Sequence, residues 1–225
     1  MQIRRKWKVY CQPKIKTRLT IDLLFYMIKA NRKRKEENMM FQKEKKISME
    51  NWIRMGLLAA LMCVSAYIVI PLPFSPVPLT AQTLMVNLIA FLLSPLEAVI
   101  TIIVYLLLGL VGLPVFSGGM GGPAKLFGPT GGYLFSWIFA VAVISWLKGK
   151  TYNIVRYSAS AVFAGMVIIY GVGSIYMKVT TGMSWSAVFA AAVLPFIPLD
   201  VVKCIFAACL AKPIRMALYQ NQMVK

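Results

Sequence analysis

The 225-residue chain is 59% hydrophobic and only 14% charged, and 25 Lys+Arg against 7 Asp+Glu give it a net charge of +18. Soluble domains carry roughly 45–50% apolar residues, so an ordinary water-soluble fold is excluded. Histidine is absent, which removes the commonest general base, the commonest neutral metal ligand and every Ser–His or Cys–His nucleophile arrangement.

The charge is unevenly placed. Residues 1–54 hold 16 of the basic and 5 of the acidic residues, a net of +11. No charge occurs from Met55 to Leu96, nor from Ala98 to Ala124. Uncharged stretches of that length have no polar face to show water and need hydrocarbon around them. Residues 1–48 therefore read as a basic extension separate from residues 49–225. Its run Asn31-Arg-Lys-Arg-Lys-Glu-Glu is a solvated charge block, of a kind that can also meet nucleic acid or an anionic membrane face. Two plainer readings stand beside it: a disordered leader, or translation that begins at Met49. The apolar patch Leu19–Ile28 is too short to span a bilayer, and no small-residue cleavage site follows it, so a signal peptide is not expected.

From Trp52 onward, lengths and breakers predict six membrane spans, at about 20 residues per crossing. The first runs from Trp52 to about Ile70 and stops at Pro71-Leu-Pro73. The second runs from about Leu79 to Leu93, ending at Ser94-Pro95. The third covers Leu96 to Leu113, and a Gly-rich loop follows from Val115 to Gly132. The fourth is Tyr133–Leu147 and the fifth Tyr157–Met177. The last is interrupted: residues 184–194 are apolar, and Pro195-Phe-Ile-Pro198 restarts a helix that continues to about Ala211. With the N-terminus inside, Lys148, Lys150, Arg156, Lys212, Arg215 and Lys225 fall on the inner side, and only Lys125 and Lys178 on the outer side. This is the positive-inside bias, and it predicts an all-α, multi-pass protein of the cell membrane with both termini cytoplasmic.

Polar groups within such a bundle are functional candidates by default. Asp200 and Lys203 lie three apart on one face of the last helix. They are read either as ligand contacts or as a self-satisfied ion pair that closes the bundle. The loop Gly112–Gly122 and the segment Gly128-Pro-Thr-Gly-Gly-Tyr133 let backbone approach a ligand closely, as a lid, or form a flexible external loop. Phe116 and Tyr133 would be apolar walls, with Ser117 and Gly118 as loop contacts. In Ser75-Pro-Val-Pro-Leu-Thr-Ala-Gln-Thr83, Gln82 and Thr83 either meet the ligand or cap the second helix. Gly56 and Ala60 on the first helix are spaced for close approach of another helix. Cys11, Cys63, Cys204 and Cys209 show no CxxC spacing, so neither a metal site nor a structural disulfide is expected. There is also no Walker motif, and no nucleophile constellation that would make the protein an enzyme.

Four of these segments carry a resemblance: Ser75–Thr83, Tyr105-Leu-Leu-Leu-Gly-Leu-Val-Gly-Leu-Pro-Val-Phe116, Gly128–Tyr133 and Leu194-Pro-Phe-Ile-Pro-Leu-Asp-Val-Val-Lys203. Over Met49 to Arg215 the chain resembles BioY, the biotin-binding S component of energy-coupling factor (ECF) transporters. The resemblance implies a six-helix bundle with a biotin pocket near the external face, closed by the loops after helices one and three. It implies that Asp200 and Lys203 recognise biotin, with no cofactor required. It further implies that Gly56-Leu-Leu-Ala-Ala60 docks a transmembrane coupling subunit, which two cytoplasmic ATPase subunits drive. The alternatives are an S component for another vitamin and a stand-alone biotin transporter.

Overall fold

The computed structural model describes residues 49–71, 73, 77–149 and 151–223. The basic extension 1–48, Ser75 and Pro76 of the proline-rich motif, and the charges of Lys150 and Lys225 lie outside the described residues.

The described part is helical with one small ribbon. Helix α1 (Met49–Ser65) turns Met55, Leu58, Ala59 and Met62 inward at a three-to-four residue spacing, the mark of a helix with one buried face. The sequence reading carried this helix to Ile70; the structure ends it five residues earlier. Val69–Ile70 (β1) instead pairs antiparallel with Leu79–Thr80 (β2). The prolines between them cannot donate to a helical ladder, and the β-branched Val69, Ile70 and Thr80 suit an extended chain. The second helix accordingly starts at Gln82 and not at Leu79.

Helix α2 (Gln82–Leu92) is followed by α3 (Pro95–Leu110). Glu97 marks the start of α3: its Oε2 accepts the Ser94 N–H at 3.0 Å, and its Oε1 accepts Asn51 Nδ2 at 2.5 Å. The glycine-rich stretch contains one short turn, α4 (Pro123–Leu126), before α5 (Gly131–Leu147). Helix α6 (Ile154–Thr181) contains a π-helical segment at Ser160–Met166 and ends on Gly182, whose φ of 68° suits a residue without Cβ. The interruption expected in the last apolar stretch is observed between α7 (Trp185–Ala192) and α8 (Ile197–Met223), which are bent by 47°. Helix α8 runs well past Ala211, through Pro213.

Helix α5 packs most extensively on α6, α8 on α2, and α3 on α5. The close approach of α5 and α6 depends on Gly173: a Cβ there would run into the Tyr133 ring. Helix α6 shows an apolar stripe to the outside, with Phe163, Val167, Ile175 and Val179 all exposed. By length and apolar composition α6 suffices to cross a membrane, and the bent α7–α8 pair makes a second candidate. Helices α2, α3 and α5 are apolar but shorter.

Candidate functional site

The helices converge on a cavity of about 620 Å³ of empty space, counted with its mouth. One wall is β2 and the first turn of α2, which contribute Thr80, Gln82 and Thr83. Another wall is α5, whose Tyr133, Leu134 and Trp137 share one helical face, with Thr130 at its N-cap. Tyr170 of α6 and Asp200 and Lys203 of α8 complete it, and Ser117 and Lys125 reach it from the glycine-rich stretch.

The polar centre is a hydrogen-bonded network. Asp200 is 7% exposed. Its Oδ1 accepts Lys203 Nζ at 2.9 Å and Thr83 Oγ1 at 3.1 Å, and its Oδ2 accepts the Tyr170 hydroxyl at 2.7 Å. Lys203 Nζ also donates to Thr80 O at 2.8 Å and approaches Thr83 Oγ1 at 3.2 Å. An ammonium has three protons, and here three protein acceptors surround it. A carboxylate has about four acceptor positions, and three are filled. The site thus keeps room for one further N–H donor at Asp200 and offers little to a ligand anion at Lys203.

The free cation of the cavity lies elsewhere. Lys125 is half-buried on α4, and among the described residues no hydrogen bond or ion pair holds its ammonium. Burial pushes its pKa below the ordinary lysine value, and a carboxylate beside it would favour the charged form.

Of the residues singled out from sequence, Thr83, Ser117, Tyr133, Asp200, Lys203 and Gln82 line one cavity. Gln82 is 2% exposed, and its Nε2 donates to Tyr105 OH at 2.5 Å, which donates in turn to Val115 O at 2.9 Å. It therefore ties α2 to α3 and to the loop. Phe116 and Gly118 are not among the lining residues. Phe116 is fully buried against Tyr105, with ring centroids 5.7 Å apart, and a Cβ at Gly109 would strike its ring. Gly118 instead donates its N–H to Ala66 O at 3.0 Å, and Tyr67 OH donates to Pro114 O at 2.7 Å. These contacts strap the loop after α3 to the segment after α1. Gly56 and Ala60 do not line the cavity and lie on the exposed side of α1, where nothing stands within 4 Å of a Cβ built at Gly56.

Lys125, Trp137 and Tyr170 also line the cavity, and the sequence alone does not single them out. Aromatic residues inside apolar helices carry no signal separating cavity from core, and a lone loop lysine reads as surface.

The model of the BioY family matches residues 39–220. This chain belongs to the BioY family. A biotin transporter BioY of Thermotoga maritima is 39% identical over 163 residues, 72% of this chain and 94% of that one. A biotin transporter BioY of Rhizobium etli is 35% identical over 153 residues, 64% of this chain and 81% of that one. The crystal structure of the S-component for biotin from an ECF-type ABC transporter is similar, with a TM-score of 0.70 at 26% identity. The likeness covers 74% of this chain and 91% of that one. BioY membership agrees with the resemblance read from the four motifs, and the helical architecture is that of the solved S-component. The relatives are transporters by name.

Proposed function

We propose that this chain is the biotin-binding S component of an ECF-type uptake transporter, embedded in the cell membrane as a multi-pass protein with cytoplasmic termini. The observation that carries the reading is the polar centre: Asp200 lines the cavity and is held by Lys203, Thr83 and Tyr170, which leave one of its acceptor positions unfilled. Biotin offers ureido N–H donors, an apolar thioether ring and a carboxylate tail. Small-molecule sites pair mostly apolar walls with a few convergent polar groups. In this reading Asp200 accepts a ureido N–H, Lys203 and Thr83 hold that carboxylate in place, Tyr133 and Leu134 face the apolar ring, and Lys125 attracts the tail. Ser117 closes the site from the loop. Phe116, Gly118 and Gln82 act one layer back, by shaping the strap.

The chain carries no ATP-binding motif, so energy must come from outside it. The exposed stripe of α1, with Gly56 and Ala60 beside Ile53, Leu57 and Val64, supports docking of a transmembrane coupling subunit, itself driven by two cytoplasmic ATPases. Close helix–helix approach needs small residues at this spacing.

Equilibrium binding of purified protein to biotin and to a panel of other vitamins tests the ligand. Saturable binding of biotin alone is expected, and retention of a different vitamin in its place refutes the reading. Biotin uptake by cells without a coupling subunit would refute the dependence on partners.

A further inference from the structure

Among the described residues, one buried side-chain nitrogen or oxygen has no hydrogen-bond partner: the indole Nε1 of Trp137. The residue is 4% exposed, and it lines the cavity. Native proteins pair nearly all such groups, so an orphaned donor calls for an explanation.

The surroundings supply one. Trp137 stands one helical turn beyond Tyr133 on the cavity face of α5. Its ring lies against Tyr105, with centroids 6.1 Å apart, and Tyr105 is itself fixed between Gln82 and Val115. The indole is therefore backed by a side chain that is already held at both ends. The charged and phenolic donors between the helices are occupied. Lys203 is surrounded by three protein acceptors, the Tyr170 hydroxyl faces Asp200, and the Tyr133 hydroxyl lies 3.5 Å from Ser174 Oγ and from Ala192 O. Lys125 is free, but it comes from the loop side. Hydroxyls of Thr80, Ser117 and Thr130 also line the cavity, but among the described residues the donor there that is both buried and unpaired is the Trp137 N–H.

We propose that Trp137 donates its indole N–H to the ureido carbonyl oxygen of bound biotin. The inference rests on the biotin reading above and deepens it by orienting the ligand. In a cyclic urea the N–H groups flank the carbonyl and point away from it, so acceptor and donor must come from different walls. Here Asp200 on α8 supplies the acceptor and Trp137 on α5 the donor. The ring system is then gripped between α5 and α8, and the carboxylate tail runs toward Lys125 at the loop. Trp137 acts as a specificity-determining residue. It selects a carbonyl at that position over any group that presents hydrogen there.

The test compares biotin with 2-iminobiotin, whose protonated guanidinium offers N–H where biotin offers oxygen. Binding of each is measured to the purified full chain and to its Trp137→Phe variant. The wild-type chain is expected to prefer biotin. The variant is expected to bind biotin roughly tenfold to hundredfold more weakly, with little change for 2-iminobiotin, so that the preference shrinks by the same factor. Its melting temperature without ligand is expected to fall, because a smaller ring at a 4%-exposed position leaves a gap, so affinity is read on the folded fraction. If Phe itself disturbs the fold, 3-benzothienylalanine at position 137 keeps the indole shape without the N–H and must give the same selective loss. Equal losses for both ligands, or unchanged biotin affinity in a wild-type chain that does bind biotin, overturn the proposal while leaving the function standing. A wild-type chain that binds no biotin overturns both.

Discussion

Replacing Asp200 by asparagine changes one atom and reverses the logic of the polar centre. The carboxylate oxygens accept from three donors: Lys203 Nζ, Thr83 Oγ1 and Tyr170 OH. An amide keeps one acceptor oxygen and turns an NH₂ group toward neighbours that are themselves donors. The two side chains of the ion pair are 10% and 19% exposed, so Lys203 loses its counter-charge with little water to replace it. A hydrogen bond to a charged acceptor contributes about 1.5–3 kcal/mol, against about 0.5–1.5 for a neutral one. The loss at the ligand N–H, together with the misplaced amide, then totals about 1.5–3 kcal/mol, or roughly tenfold to 150-fold in affinity. Titration of labelled biotin onto detergent-purified protein measures it, with melting temperature as the control for folding. Because Asp200 and Lys203 share Thr83, the double variant Asp200→Asn/Lys203→Gln should lose less than the sum of the two single changes. An Asp200→Asn protein that folds normally and binds biotin within about twofold of wild type would refute the assignment of Asp200.

Tyr170→Phe removes one donor to Asp200 without opening the helix bundle; biotin affinity should fall roughly threefold to tenfold, read in the same titration. Lys148 sits just beyond the end of α5 and is 8% exposed; its ammonium donates to Ala90 O at 2.7 Å and to Leu93 O, closing the exposed end of α2. Lys148→Met should therefore lower the melting temperature and leave biotin affinity intact in the protein that remains folded. Burial, with the positive charge of Arg215 adding to it, pushes the Lys148 pKa from 10.5 down to about 7. Between these values the unfolded chain binds more protons than the folded one, so this residue's contribution to stability rises as pH increases from 7 toward 10. Melting curves across that range should show the rise in wild type and lack it in Lys148→Met. Gly56→Leu combined with Ala60→Leu fills the exposed small-residue surface of α1; purified protein should bind biotin as wild type does while cellular uptake is lost, and unimpaired uptake would remove α1 as the docking face.

Much of this was legible in the sequence because the relevant physics is local. Uncharged stretches, proline breakers and the restart at Pro195–Pro198 mark helices by length alone. Asp200 and Lys203 stand out because charge is rare in an apolar chain and a spacing of three fixes a shared helix face. Membership of the BioY family follows from motifs that run in order along the chain. Where local rules compete, hydropathy alone misplaces the helix ends. Residues 69–70 and 79–80 look like helix ends by hydropathy, yet the prolines between them and their β-branched side chains make them a ribbon.

What only the tertiary structure decided is which partner each polar atom takes. Thr83 and Tyr170 lie 117 and 30 residues from Asp200 in sequence, and no pattern in the chain reports that their hydroxyls meet its carboxylate. The same holds for Lys203, whose ammonium turns inward to Thr80 O, and for Lys125 and Trp137, which line one cavity only because α4 and α5 fold beside it. Composition and periodicity set where helices begin, end and turn their apolar faces. Hydrogen-bond satisfaction is settled between segments distant in the chain, so which donors remain for a ligand emerges only once those segments have packed.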